Sequence, residues 1–258
     1  MSQQDHNFDA MAERFSKNIY AGKKGAIRLH VIDKDLQDYA PEIYRDNPLS
    51  ILDAGGGTGV TSLPLAKLGH SVVLCDISHE MIRRAETAVM SEGLEDRMRC
   101  IHTSVQSYAE STAETYDVVL FHAVLEWVNK PQETLAQVLP LVKSGGCLSL
   151  MFYNVHSIIH RNLIRGNLRK VKTGKFGGDG KGLTPINPLY PQQVIQWLTD
   201  AGWTIELQSG VRVFFDNLTR EKQQLISLDD ILEMECRYSR EEPYRLMGRY
   251  CHFVCRKH

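Results

Sequence analysis

The sequence predicts a doubly wound α/β domain on a mostly parallel, seven-stranded sheet. Three observations carry the prediction. Short apolar runs alternate with helix-like segments as far as Tyr153, the pattern of strands joined by crossover helices. The first run ends in an acid and a glycine cluster, Asp53-Ala54-Gly55-Gly56-Gly57-Thr58-Gly59. The second ends in another acid, Asp76.

Residues 5–40 read as helical and amphipathic and belong to an N-terminal helical cover over 1–48. Leu49–Asp53 is the first strand, and Thr61–Leu68 is the helix after the glycine loop. Ser71–Asp76 is the second strand, and Ser78–Glu92 is its helix. Met98–His102 and Tyr116–His122 follow as strands, then Pro131–Leu141 as a helix. Lys143-Ser144-Gly145-Gly146 turns the chain into the very apolar strand Cys147–Tyr153. Residues 154–188 break the alternation. They are basic and glycine-bearing, and they read as an insertion within a single domain spanning 1–258. Pro191–Ala201 resumes as a helix ending at Gly202. Two last strands, Trp203–Val213 and Arg249–Arg256, flank a charged helical segment and suit an antiparallel edge.

A chain of 258 residues with 43% apolar and 24% charged residues can bury one large core. A net charge of −1 means that any nucleic acid must be met by a local patch. The N-terminus lacks the charged-then-apolar layout of a secretory signal, and no apolar run reaches a membrane span of about 20 residues. The expected compartment is the cytoplasm. Cys75, Cys100, Cys147, Cys236, Cys251 and Cys255 contain no CxxC pair. They read as packed thiols, and no metal site is expected.

The glycine loop selects the class of nucleotide. A dinucleotide fold uses G-x-G-x-x-G, because a pyrophosphate sits on the helix end. Counted from Gly55, the last position is Val60, and there is no Walker lysine. The loop is D-x-G-x-G-x-G, so Asp53, Gly55, Gly56 and Gly57 shape a close backbone approach to a ribose and an amino-acid tail. This disfavours a nicotinamide dehydrogenase. Asp76 stands about 20 residues downstream, where a carboxylate meets a ribose diol; the alternative is a helix cap. Past the third strand, the Gln106 side chain or the backbone of Val105 and Gln106 can meet an adenine. His122 ends the fourth strand, at the edge where such sheets bind ligands, or else caps the next helix.

The combination resembles a family: the tRNA 5-carboxymethoxyuridine methyltransferases of gamma-proteobacteria, the CmoM family, formerly SmtA. The resemblance spans nearly the whole chain. It rests on Asn7-Phe8-Asp9, Phe15–Tyr20, Leu52–Gly57, Leu120–Val128, Leu148–Asn154, Gly210–Phe214 and Gly248-Arg249-Tyr250. The runs FHAVLEWV and LSLMFYN are more specific than the glycine loop, which many methyltransferases share. The resemblance implies a class I, Rossmann-like fold and S-adenosylmethionine as cofactor. The expected reaction is methylation of the carboxylate on a modified wobble uridine, with the tRNA anticodon stem-loop as partner. It carries cofactor contacts onto Arg28, Gly55, Gly56, Asp76, Val105, Gln106 and His122. Arg28 comes from the resemblance alone, and an arginine there suits the cofactor's carboxylate.

A carboxylate nucleophile is ionised at neutral pH, so no general base is expected. A cation must receive it, and Arg212 and Arg249, placed in late strands, are candidates, with Tyr153 and Asn154 lining the acceptor pocket. Arg161, Arg165, Arg169, Lys170, Lys172, Lys175 and Lys181 oppose one acid, Asp179. On one helix, the three arginines four apart would form a stripe for RNA phosphates, with Tyr153 or Phe176 as a stacking platform. No obligate protein partner is evident. The alternatives are a methyltransferase for a small carboxylic acid or another small molecule such as a quinone-type substrate, a carboxymethyl transferase using a carboxylated cofactor, and a cofactor-binding scaffold without activity.

Overall fold

Parallel strands form because each crossover returns the chain to the same sheet end. The computed structural model of the chain describes residues 5, 9, 22–178 and 184–257. Most of the segment carrying Asn7 and Phe15–Tyr20 lies outside these residues, as do Asp179 and Lys181. The first helix among the described residues, α1 (Gly22–Tyr39), buries Ile27, Val31, Ile32 and Leu36 along one face, the stripe of an amphipathic helix. The alternation then runs β1 (Ser50–Ala54), α2 (Ser62–Lys67), β2 (Ser71–Asp76), α3 (His79–Ser91), β3 (Met98–His102), α4 (Val105–Ser111), β4 (Tyr116–His122), α5 (Pro131–Val138) and β5 (Val142–Tyr153).

The insertion contributes α6 (Val155–Ile164) and α7 (Leu168–Thr173). They are followed by α8 (Pro191–Asp200), β6 (Trp203–Val211), α9 (Arg220–Leu225), α10 (Leu228–Ser239) and β7 (Tyr250–Lys257). The seven-stranded sheet has the order β3-β2-β1-β4-β5-β7-β6. Strands β1 to β5 pair in parallel. β7 inserts antiparallel between β5 and β6. Two apolar clusters cover the two faces of the sheet, one including α1 residues Ile27 and Val31, the other including α8 residues Val194 and Leu198.

Three expectations are corrected. The arginine stripe does not exist: α6 stops at Ile164, and Gly166 takes a φ of +71°, a left-handed value that ends the helix before α7 begins. Phe176 is 9% exposed and packs into the α1-side core, so it offers no open platform. Arg212 falls past the end of β6, at a φ of +62° that an L-residue adopts only under strain. Among the described residues, no helix is long and apolar enough to cross a membrane, and no cluster of His, Cys, Asp or Glu is arranged to hold a metal.

Candidate cofactor pocket and adjoining cation cluster

The crevice at the C-terminal ends of β1, β2 and β4 is the place where open α/β sheets bind ligands. Gly55, Gly57, Asp76, Val105, Gln106 and His122 line one pocket there. The glycine loop is shaped by its surroundings. Gly55 has a φ of +73°, and a Cβ on it would lie 2.4 Å from Val124 Cγ2. A Cβ on Gly56 would lie 2.4 Å from the Asp53 carboxylate. Asp53 is buried beneath the loop and does not line the pocket; burial pushes its carboxyl up to about 7. Its place is a support for the loop.

Asp76 accepts hydrogen bonds from Gly57 N at 2.9 Å and Ser78 N at 2.8 Å. Ser78 is the residue that caps α3, accepting from Met81 N. Asp76 therefore braces the loop from the pocket wall rather than capping the helix. The Gln106 side chain donates to Asp5 Oδ2 at 2.8 Å and Thr134 Oγ1 at 3.2 Å. Of the two adenine contacts open at that position, this occupancy favours the backbone of Val105 and Gln106. His122 bonds through Nε2 to Ser149 Oγ at 2.7 Å, so it does not cap the following turn. Its Nδ1 is buried with no hydrogen-bond partner among the described residues. Burial, and then the neighbouring His252 and Arg28, hold its pKa well below the ordinary value, which keeps the ring neutral.

Arg28 is 2% exposed on α1, with its guanidinium 4.3 Å above the ring of Tyr250. It does not line the pocket itself, but its charge reaches His122 and Glu126. The same Tyr250 ring carries Arg212 at 5.6 Å. Tyr250 thus joins the pocket side to a second group of charges.

That group centres on Asp216, which the sequence did not single out. Arg212 Nη2 lies 2.8 Å and Arg249 Nε 2.9 Å from Asp216 Oδ2. Lys24 Nζ lies 3.9 Å from Oδ1. Arg249 also donates to the Tyr153 hydroxyl. Burial raises the Asp216 carboxyl, but Arg212 and Arg249 outweigh it and leave the pKa below the usual range. Burial lowers Arg161, and the neighbouring Arg249 adds to the lowering, so Arg161 belongs to this cluster. Asn154 has another role. It is fully buried, its Nδ2 donates to Leu246 O and Gly248 O, and its Oδ1 caps α6 through His156 N. Its hydrogen-bonding groups are spent on the backbone, so it is a clamp and not an acceptor contact. Tyr153 is 6% exposed and packs edge-on against Tyr250, so it too offers no open stacking face.

Comparisons with known proteins agree with the geometry. Residues 52–150 match the methyltransferase-domain family model. The chain is 43% identical to the tRNA 5-carboxymethoxyuridine methyltransferase of Escherichia coli K12, covering 98% of this chain and 97% of that one. It is 34% identical to a mitochondrial ubiquinone biosynthesis O-methyltransferase of Schizosaccharomyces pombe, over 49% of this chain and 47% of that one. Among solved structures, magnesium protoporphyrin IX methyltransferase from Synechocystis superposes with a TM-score of 0.64 at 16% identity, covering 97% of this chain and 96% of that one. At that identity the likeness speaks for the fold alone.

Proposed function

The chain belongs to the family of tRNA 5-carboxymethoxyuridine methyltransferases, and from that membership we infer that it methylates the carboxylate of 5-carboxymethoxyuridine in tRNA. S-adenosylmethionine is its cofactor. The residues present fit that group: a loop whose glycines admit no Cβ at 55 or 56, an acid at the ribose position, and a ring nitrogen of His122 that has no partner among the described residues. We assign Gly55, Gly56, Gly57 and Asp76 to its ribose and tail and Val105 and Gln106 to its adenine; Arg28, buried behind the pocket wall, is assigned to its carboxylate on the family resemblance alone. His122 joins them as a pocket wall, and Asp53 supports the loop from below.

The observation that carries the acceptor reading is the imbalance of charge around Asp216. Lys24, Arg161, Arg212 and Arg249 gather on the Asp216 carboxylate and outnumber it and the neighbouring buried Glu235, whose oxygens are taken by the backbone of Val213, Phe214 and Phe215. A site with surplus cations in a low dielectric draws in an anion. Asp216 moderates them, so an incoming carboxylate is oriented without losing its nucleophilicity to a single tight pair. When bound, S-adenosylmethionine supplies an electrophilic methyl group. The chain contributes position: Arg212 and Arg249 fix the acceptor oxygen, and the enclosing side chains exclude water. No general base enters, since the nucleophile is already charged.

Its substrate is tRNA. We place the anticodon stem-loop against the exposed cations of α6 and α7, with the modified uridine turned into the cation cluster. The chain acts as one domain with 154–188 as its RNA-facing insertion, and the cytoplasm is the compartment such a substrate implies. The test uses tRNA from cells lacking this enzyme, incubated with the protein and labelled S-adenosylmethionine. A labelled methyl ester on the modified uridine, lost in mild base, is the expected result. No transfer despite bound cofactor would overturn the acceptor.

A further inference from the structure

A chain of polar groups crosses the core behind the pocket. Ser149 on β5 lies 2.7 Å from His122 Nε2 on one side and 2.8 Å from His252 Nε2 on the other. His252 on β7 then places its Nδ1 2.8 Å from Oδ2 of Asp35, on α1. Asp35 also accepts from Ser209, and its Oδ1 lies 2.9 Å from Nε of Arg240, which reaches solvent. Ser149, His252 and Asp35 are each no more than 1% exposed. Buried polar groups cost free energy unless each is satisfied. An apolar core would hold these strands as well, so the chain calls for a function.

Its proton positions follow from donor and acceptor counting. The carboxylate of Asp35, ion-paired with Arg240, only accepts. His252 therefore donates from Nδ1 and, taken as the neutral imidazole, accepts at Nε2. The Ser149 hydroxyl donates there, so its oxygen accepts from His122. His122 must then carry its proton on Nε2, which leaves a lone pair on Nδ1, the atom with no partner among the described residues. We propose that Asp35, His252 and Ser149 are positioning residues that lock His122 in the Nε2–H tautomer, so that Nδ1 meets a donor group of the cofactor. The proposal rests on the reading of this pocket as the S-adenosylmethionine site.

Replacing Asp35 with asparagine reverses the whole chain. Arg240 holds the amide oxygen, so the amide nitrogen faces His252 and donates to Nδ1. Each proton downstream then shifts, and His122 ends with its proton on Nδ1, a donor against a donor. A mismatch of this kind costs about tenfold or more in affinity.

The test is ¹⁵N NMR of histidine-labelled protein, read with and without S-adenosylmethionine, beside the cofactor Kd and the split between KM and kcat. Free wild-type protein is expected to show His122 as the Nε2–H tautomer, and D35N to shift it toward Nδ1–H with at least a tenfold weaker Kd. In the S149A background the link is cut, so adding D35N is expected to leave His122 unmoved. An unchanged His122 tautomer in folded D35N overturns the proposal, as does an equal shift in the S149A background. Cofactor that leaves the Nδ1 resonance of wild-type His122 unmoved, while the tautomer still responds to Asp35, overturns instead the assignment of His122 to the cofactor. If D35N does not fold, H252N tests the same link, with the same two outcomes.

Discussion

The carboxylate of Asp216 sits 2.8 Å from the guanidinium of Arg212, and the two side chains are 8% and 7% exposed. A buried pair is stable only when both members stay paired, and here a second arginine, Arg249, shares the same oxygen. The arrangement can therefore give up part of its hold on Arg212 when an acceptor carboxylate arrives. Arg212→Ala is expected to lower kcat/KM about 10- to 100-fold, the worth of a charged hydrogen bond, while the Kd for S-adenosylmethionine stays near normal. Steady-state kinetics with tRNA and calorimetry with cofactor read the two effects apart. Unchanged turnover would remove Arg212 from the acceptor site.

The same residue stores backbone strain. At a φ of +62°, glycine is unstrained where alanine is not. Arg212→Gly and Arg212→Ala lose the ion pair equally, so their difference isolates the backbone. Arg212→Gly is expected to be the more stable of the two by about 1 kcal/mol in urea unfolding. Equal stabilities would mean that the surrounding structure relaxes around the alanine.

The glycine loop offers a comparison between two neighbours. Gly55 and Gly57 both have positive φ, so a side chain strains either one. Only at Gly55 would a Cβ also strike a neighbour, the stiff Val124, at 2.4 Å; Gly57 has open space. Gly55→Ala is expected to cost at least about 1 kcal/mol more stability than Gly57→Ala in urea unfolding of the cofactor-free protein. Equal losses would show that φ alone governs the loop.

These positions mark what was legible in the chain. The succession of β1 to β5 along the chain, the acids ending β1 and β2 and the glycine loop follow from local pattern, because each strand there is an apolar run bounded by turn residues. The strand assignment of Arg212 differs from its place in the fold because Gly210-Val211-Arg212-Val213-Phe214 reads as continuous strand, and only the tertiary fold shows the left-handed turn. Asp216 was hidden for a related reason: its partners lie 4 residues away in Arg212 and 33 away in Arg249, a convergence that no single stretch displays. Asn154 looked like a site residue because it ends a specific motif, yet its amide is consumed by the backbone of the distant Leu246 and Gly248. The histidine–serine–aspartate chain is long-range throughout.

Burial pushes the carboxyls of Asp53 and Glu126 up to about 7. An unfolded chain releases these protons near pH 4. Between about pH 4 and 7 the folded state therefore binds more protons than the unfolded one, and stability falls as pH rises through that window. Above it the loss is complete and the curve flattens. Each group contributes on the order of a few kcal/mol. Asp53→Asn removes one of these groups, so the fall across the window is expected to become shallower; Glu126, with Asp76 and Glu235, whose carboxyls burial also raises, supplies what remains, and His122, whose pKa is lowered, opposes it. Urea unfolding of the cofactor-free protein at several pH values measures it. A slope unaltered by Asp53→Asn would show that Asp53 is not held protonated.

The RNA-facing surface is tested by salt. The cations of the insertion divide by exposure: Arg161 is half-buried in the acceptor cluster, whereas Arg165 and Arg169 are exposed on either side of the break at Gly166. The break gives them different directions, so they are suited to separate phosphates rather than to one ridge. Each phosphate contact releases a counterion and steepens the fall of affinity with salt by a little under one unit on logarithmic axes. Reversing both charges, Arg165→Glu with Arg169→Glu, is expected to weaken tRNA binding and to make the slope shallower by about 1 to 2. Cofactor affinity should not change, because neither residue lines the pocket. Filter binding across a salt series gives the slope directly. Weaker binding at every salt concentration with an unaltered slope would mean that these arginines hold the local fold rather than the RNA backbone, and the docking face would have to be sought elsewhere on the rim of the cation cluster.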